Sequence, residues 1–137
     1  MKKLSVSQIK EILNKYGLKA TNPRIYIYKI LRESKEHPSV EMIVNQLEKL
    51  GIYASLGSVY NVLDVFCEKG LCIKLKDEQE VMRYDGNTDF HIHVYNTQDG
   101  SISDIEDEQF CGEVTQYFES KFNKDEIERI DLSVKTR

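Results

Sequence analysis

The stretch SLGSVYNVLDVFCEKG, residues 55–70, decides the fold of the first part of the chain. Apolar side chains recur through it at helical spacing and Gly70 follows them, which predicts a helix of about 14 residues that Ser55 or its neighbour caps. The apolar face holds Val59, Val62, Leu63, Phe66 and Cys67. The other face holds Ser58, Tyr60, Asn61 and Asp64. A helix with this second face presents polar groups to a partner or to solvent.

The residues on either side complete a winged helix-turn-helix domain over residues 1–84. Three amphipathic helices precede the stretch: one over residues 5–16, one from Asn22, as its cap, to about Glu33, and one from Pro38-Ser39 to Gly51. After it, residues 71–76 and 81–84 alternate as two strands around a polar turn, which predicts a hairpin, the wing.

The remainder predicts a hinge at residues 85–88 and a small α/β domain at residues 89–137, so the fold class is α+β. Strands are expected at 90–95, 101–105 and 128–134, with a helix at 107–122. That helix places Phe110, Val114, Tyr117, Phe118 and Phe122 on one face. A unit of this size rarely buries a sufficient core alone, so we expect the second domain to form a homodimer.

Composition sets limits on the function. The 137 residues are 40% hydrophobic and 31% charged, as in a globular protein. We find no membrane-spanning run and no signal-peptide core, and therefore expect no membrane partner and a cytoplasmic location. The net charge of −4 conceals a basic first part, suited to nucleic acid, and a strongly acidic second part.

The three cysteines, Cys67, Cys72 and Cys111, form no C-x-x-C motif. Their odd number and spacing do not indicate a disulfide framework, so we expect reduced, partly buried thiols. Their role is left open.

Histidines and aspartates form the candidate metal site. His91 and His93 are two residues apart on a predicted strand, so their imidazoles share one face. His37 lies in the first domain, Asp85 at the hinge and Asp104 on the partner strand. Three imidazoles and two carboxylates suit five-coordinate Fe²⁺ or Mn²⁺, and Zn²⁺ also accepts imidazole. The alternative, half-exposed histidines beside solubilising aspartates, stays open on these residues alone.

Several motifs together resemble the ferric uptake regulator family. They are the helix and wing entry at residues 55–71, Arg83-Tyr84-Asp85, Phe90-His91-Ile92-His93, Gly100–Asp104, Gly17–Arg24 and Glu36-His37-Pro38-Ser39. The resemblance covers nearly the whole chain. It implies a dimeric, metal-dependent repressor that binds a palindromic operator in double-stranded DNA.

Within the family the sequence is most similar to the peroxide-sensing branch, through Asn61, Val65-Phe66 and Asp104, where iron sensors usually carry Glu. The resemblance implies that His37, Asp85, His91, His93 and Asp104 are the regulatory ligands. It also implies that peroxide oxidises His37 or His91 at bound Fe²⁺ and so releases the DNA.

The sequence departs from the family at its structural zinc. The first C-x-x-C falls on Asn96 and Asp99, and the chain stops at Arg137 before a second. We therefore expect no four-cysteine structural zinc site and one Fe²⁺ or Mn²⁺ per chain, with Zn²⁺ possible in vitro.

The expected DNA contacts lie on the fourth helix, the wing and the second-helix entry. A recognition helix enters the major groove, where Tyr60 can touch a thymine methyl or a phosphate and Asn61 can pair with adenine. For Tyr60, an aromatic side chain at the edge of the core is the alternative. The remaining contacts would be to phosphates, from Ser55, Ser58, Lys19, Arg24, Lys74 and Lys76. For each cation, a solvated surface charge is the alternative.

Two rival functions remain. An iron- or manganese-availability sensor would use the same ligands. A metalloenzyme using the His/Asp site is the remote alternative, because the sequence offers no nucleophile–base pair and no phosphate loop; we therefore do not expect an enzyme.

Overall fold

A computed structural model describes residues 3–137. The chain divides into two compact units, the first ending at Thr88 and the second running from Asp89 to Arg137. The assignment of residues 85–88 as a hinge stays a prediction. Within the described residues no helix combines the length and the apolar character that crossing a membrane requires.

The first unit has four helices and a two-stranded antiparallel wing. Its elements are α1 Val6–Lys15, α2 Asn22–Glu33, α3 Val40–Lys49, α4 Leu56–Glu68, β1 Ile73–Lys76 and β2 Met82–Asp85. The apolar stripes of the helices converge on one core, in which Ile9, Leu13, Ile43, Leu63 and Phe66 are fully buried. This is the predicted winged helix-turn-helix.

The second unit is a three-stranded sheet with one helix. Its elements are β3 Ile92–Asn96, β4 Ile102–Ile105, α5 Glu108–Glu119, a short 3-10 helix Lys124–Glu126 and β5 Leu132–Thr136. β3 is the central strand, antiparallel to β4 and parallel to β5. The arrangement confirms the predicted small α/β unit.

Few apolar side chains of the second unit are buried. Ile92, Ile102 and Cys111 are its buried core residues among those described. In contrast, Phe110, Tyr117, Phe118 and Phe122 are each more than one-third exposed. At ~25 cal/mol per Å² of apolar surface, such rings represent several kcal/mol of unrealised burial.

Several predicted boundaries were wrong. The cap of α2 is Thr21, whose hydroxyl accepts the N–H of Arg24, so Asn22 is already helical. The first strand of the wing begins at Ile73 rather than Leu71, and its second at Met82. α5 ends at Glu119, which leaves Phe122 in the following turn.

The sheet of the second unit starts later than predicted, and for one physical reason. Ile92 is the first residue of β3 to pair, with Ile105 on one side and Leu132 on the other. Residues 128–131 therefore have no strand beside them, and their alternating pattern does not become a strand. Phe90 and His91 likewise precede β3, and β4 begins at Ile102 rather than Ser101.

Candidate functional site

His37 and Asp85 lie together in the first unit. His37 Nε2 is 3.2 Å from Asp85 Oδ2, and both side chains are at most 5% exposed. The other carboxylate oxygen of Asp85, Oδ1, accepts the N–H of Asn87 at 2.8 Å. A buried imidazole and a buried carboxylate thus face each other at the end of β2, in the two positions that the sequence predicted as ligands.

The backbone at His37 is held in an uncommon conformation. Its φ of 52° lies in the left-handed region, which is uncommon for a non-glycine residue and costs about 1 kcal/mol. Arg83 on β2 fixes this turn, because its Nε donates to the His37 carbonyl and its Nη2 to the Glu36 carbonyl. The N–H of Tyr84 adds a bond to the Pro38 carbonyl at 2.9 Å.

Asp77 in turn orients Arg83. Arg83 Nη1 lies 3.3 Å from Asp77 Oδ2, with the two side chains 12% and 7% exposed. Burial raises the pKa of the Asp77 carboxyl, but the N–H groups of Val81 and Gln79 and then the Arg83 guanidinium outweigh it and hold that pKa below its ordinary 3.8. The wing turn, β2 and the His37 turn therefore form one hydrogen-bonded network.

The second unit brings His91, His93 and Asp104 together. His93 and Asp104 are opposite each other in the β3–β4 ladder. Asp104 Oδ1 lies 3.4 Å from His91 Nε2 and 3.8 Å from His93 Nε2. The two imidazole centroids are 4.4 Å apart, although His91 precedes the strand rather than belonging to it.

A hydrogen bond selects the tautomer of His91. Its Nδ1 lies 2.7 Å from the Asp89 carbonyl oxygen, which can only accept, so Nδ1 carries the proton. The lone pair of the neutral ring is then on Nε2, the nitrogen that faces Asp104. Metal-binding histidines are typically oriented in this way by a carbonyl or carboxylate on the other nitrogen.

The donor set of each unit fits a divalent metal ion in part. The first unit offers one imidazole and one carboxylate, and the second offers two imidazoles and one carboxylate. Mixed imidazole and carboxylate ligands suit Fe²⁺, Mn²⁺ and Zn²⁺. Neither set alone provides the five donors predicted from the sequence.

The predicted DNA contacts on α4 are accessible. Ser55, Ser58, Tyr60 and Asn61 are all exposed, on the side of α4 away from its buried Val59, Leu63 and Phe66. The Ser55 hydroxyl caps α4 by accepting the N–H of Ser58 at 3.1 Å. Ser55 is therefore also a structural residue.

Three of the four predicted phosphate-binding cations have a protein partner for their side chain. Lys74 pairs with Asp64 at 3.2 Å and Lys76 with Glu80 at 3.3 Å, both in exposed positions. Arg24 is half-buried and donates to the Lys19 carbonyl at 3.1 Å, while Lys19 is exposed. Asp64 thus meets a wing lysine, which explains an acidic residue on this face.

Sequence reasoning missed Tyr53 and the network of Arg83 and Asp77. Tyr53 is 79% exposed just before α4, where an aromatic ring can stack or hydrogen-bond on a partner. Its place shortly before a capping serine was a usable signal. The bonds from Arg83 to the His37 turn had no local signal, because the His37 and Glu36 carbonyls are 46 and 47 residues away in the chain.

The cysteine prediction was also wrong. Cys67 and Cys72 form a disulfide, while Cys111 is free and buried. The two bonded cysteines are five residues apart in the sequence, a separation that does not by itself indicate a pair.

Comparison with known proteins supports the fold and identifies relatives. A family model described as "Ferric uptake regulator family" matches residues 15–135. The peroxide-responsive repressor PerR of Staphylococcus epidermidis is 31% identical over 111 residues, covering 77% of this chain and 74% of that protein. The peroxide operon regulator of Bacillus subtilis is 33% identical over 113 residues, 78% of each chain.

Solved structures show the same fold. The Campylobacter jejuni peroxide stress regulator matches with a TM-score of 0.71 and 23% identity, covering 97% of this chain and 95% of that one. The ferric uptake regulator of Vibrio cholerae matches with a TM-score of 0.71 and 24% identity, covering 93% of this chain and 98% of that one.

A winged helix-turn-helix followed by a small sheet unit, with imidazole–carboxylate clusters in both, defines a class of metal-responsive transcriptional regulators. The chain belongs to the ferric uptake regulator family. Because the members of this family and the curated relatives are regulators, the metalloenzyme alternative is set aside.

Proposed function

We propose that this protein is a metal-dependent DNA-binding repressor that senses peroxide, rather than the iron or manganese supply. The similarity to two curated peroxide regulators supports the choice of signal. The observation that carries the metal requirement is the pair of partial ligand sets, each with a carboxylate oxygen 3.2–3.4 Å from an imidazole nitrogen.

In this proposal one metal ion per chain takes its ligands from both units. His37 and Asp85 would come from the first unit, and His91, His93 and Asp104 from the second. Three nitrogens and two oxygens favour Fe²⁺ or Mn²⁺ in the cell, with Zn²⁺ as a substitute in vitro. An ion bound by both sets fixes the orientation of the DNA-binding unit, which is how a ligand biases a two-state element.

Bound Fe²⁺ would supply the electrons that break the O–O bond of peroxide next to its ligands. His37 and His91 are the side chains that we propose gain oxygen. An oxidised imidazole is a poorer ligand, so the first unit loses its fixed orientation and the repressor leaves DNA.

The DNA partner is a palindromic duplex bound by a homodimer in the cytoplasm. Two copies related by a two-fold axis present two α4 helices to two half-sites. Base contacts come from Tyr60 and Asn61, and phosphate contacts from Ser55, Ser58, Lys19, Arg24, Lys74 and Lys76. The exposed aromatic side chains of α5 and its following turn are the surface that we assign to the dimer, because a second copy would bury them.

We further propose that the chain holds no four-cysteine zinc site. The sequence has three cysteines and no C-x-x-C motif, and two of the three pair with each other. The dimer then depends on apolar packing alone.

A mobility-shift titration with Mn²⁺ tests the metal requirement. Wild-type protein should shift operator DNA only when Mn²⁺ is present, and Asp85→Ala or His91→Ala should lose the shift while remaining dimeric in sedimentation. Asp125→Ala is the matched control, since this exposed aspartate belongs to neither ligand set. Equal shifts with and without metal would refute the proposal.

Mass spectrometry separates the peroxide sensor from the metal-supply sensor. The Fe²⁺ form treated with peroxide should gain oxygen on the peptides that contain His37 or His91, and the Mn²⁺ form should not. If neither peptide gains oxygen while DNA binding still follows metal supply, the alternative function is correct.

A further inference from the structure

Cys67 and Cys72 lie on either side of the turn that connects α4 to the wing. Cys67 is in the last turn of α4, and Cys72 immediately precedes β1. Their Cα atoms are 4.7 Å apart and their sulfurs are bonded. We propose that this pair is a reversible dithiol–disulfide site that peroxide oxidises without any metal ion, in addition to the histidine chemistry of the proposed function.

The backbone alone brings the two cysteines together. Gly70 has a φ of 80°, its N–H donates to the Cys67 carbonyl at 3.1 Å, and the N–H of Leu71 donates to the Phe66 carbonyl at 2.8 Å. These two bonds are the Schellman motif, which reverses the chain at the end of a helix. The turn that places Cys72 against α4 therefore does not depend on the disulfide.

The reduced state also has a place in this structure. Cys72 Sγ lies 3.8 Å from the carbonyl oxygen of Leu63, so a thiol there has an acceptor within reach. Because both oxidation states fit one backbone, little rearrangement is needed to pass between them. Once peroxide has oxidised one of them, a second thiol held this close attacks the oxidised sulfur faster than a thiol in solution does.

The two sulfurs differ in access, which assigns their roles. Cys67 is half-buried, whereas Cys72 is only 4% exposed. The Cys67 thiolate would attack a peroxide oxygen, break the O–O bond and become a sulfenic acid as one water leaves. The Cys72 thiolate would then attack the Cys67 sulfur and expel the second water. In total, two thiols lose two electrons and two protons to one peroxide.

The site is connected to the DNA-binding face through α4. Tyr60, Asp64 and Cys67 recur at i, i+4 and i+7, so they lie along one stripe of the helix. Asp64 pairs with Lys74 of β1 at 3.2 Å, and Cys67 bonds Cys72, so this stripe is joined to the wing strand at two points. Oxidation converts the Cys67–Cys72 contact into a covalent bond between this stripe and the residue that precedes β1.

Tryptic mapping tests the site on the full chain. Protein reduced with dithiothreitol, freed of reductant and held in EDTA is treated with hydrogen peroxide, alkylated in denaturant and digested without reduction. Trypsin cuts after Lys69, so a Cys67–Cys72 disulfide holds peptides 50–69 and 70–74 together, and dithiothreitol separates them. Cys111→Ser should give the same linked pair as wild type.

The linked pair, lighter by two hydrogens than the two peptides, is the expected product even with EDTA present. Cys67→Ser should abolish it and protect Cys72 from peroxide, whereas Cys72→Ser should leave sulfenic acid at Cys67. Complete alkylation of both thiols after peroxide would overturn the proposal, as would a link through Cys111. Oxygen gained at His37 or His91 needs iron, so failure of one redox site is distinguishable from failure of the other.

Discussion

Replacing Arg83 by Met should destabilise the first unit by about 3 kcal/mol. The guanidinium donates to three acceptors: the carbonyls of Glu36 and His37, and the Asp77 carboxylate at 3.3 Å. A hydrogen bond from a charged group contributes ~1.5–3 kcal/mol when both partners are buried. The sum is reduced because Glu36 is exposed to water and Asp77 keeps the N–H groups of Gln79 and Val81.

Urea unfolding of the metal-free protein at fixed concentration measures this loss. For a slope of ~2 kcal/mol per M, the midpoint should fall by roughly 1.5 M. Arg129→Met is the matched control, because Arg129 pairs with Asp131 at 2.9 Å but both side chains are more than half exposed. An exposed pair contributes ~0–1 kcal/mol, so this variant should unfold nearly as wild type does.

Arg83→Lys distinguishes the contribution of the guanidinium's several N–H donors from that of its positive charge. A lysine keeps the positive charge but cannot serve three acceptors in separate directions, so it should recover less than half of the loss. Because Arg83 also holds the His37 turn, its Met variant should bind Mn²⁺ roughly tenfold more weakly. Equal losses for Arg83→Met and Arg129→Met would refute the argument, since the network would then be no better than a surface ion pair.

Three further perturbations follow from single contacts. Gly86→Ala should cost about 2 kcal/mol of stability, because a Cβ at this position would lie 2.8 Å from the backbone of Leu31. Gly57→Ala is the control: a Cβ there would have nothing within 4 Å, so the change should not destabilise α4. Ser55→Ala should cost about 1 kcal/mol through the lost cap of α4. The folded-state pKa of Asp77 lies below 3.8, so the ionised carboxylate contributes fully to stability above about pH 5 and this contribution is lost as the pH falls below 3.8. The stabilities of wild type and Asp77→Asn should therefore become equal in acid.

Urea midpoints measured for these variants, and across pH for the last, check each expectation. A Gly86→Ala protein as stable as Gly57→Ala would show that the chain relaxes around the added carbon. No change in Ser55→Ala would mean that water replaces the hydroxyl. A wild-type advantage over Asp77→Asn that persists unchanged in acid would exclude a charge-dependent role for that carboxylate.

The helices of the first unit were predictable because their signals are local. The apolar stripe of α1 through Ile9 and Leu13, and the Ser39 and Ser55 caps, lie within a few residues of what they determine. The cap of α2 was misplaced by one residue because both Thr21 and Asn22 are good capping types ahead of Pro23.

The strands and the candidate site were harder, because they depend on distant partners. The alternation over residues 128–134 is present in the sequence, but only residues from Leu132 onward have a neighbour in β3. The residues of the two imidazole–carboxylate clusters were predictable from chemistry and resemblance. The hydrogen bond from Arg83 that holds the His37 turn was not predictable, because the two residues are 46 positions apart in the chain.

The position of β3 between β4 and β5 has a consequence for the order in which the second unit folds. β4 follows β3 after a short turn, but β5 is the last strand and pairs in parallel, with Ser133 beside His93. The β3–β5 pairing closes a much longer loop than the β3–β4 hairpin does, so we expect it to form more slowly. His93 should therefore acquire its final surroundings only once β5 has paired with β3, later than the β3–β4 hairpin that sets it opposite Asp104.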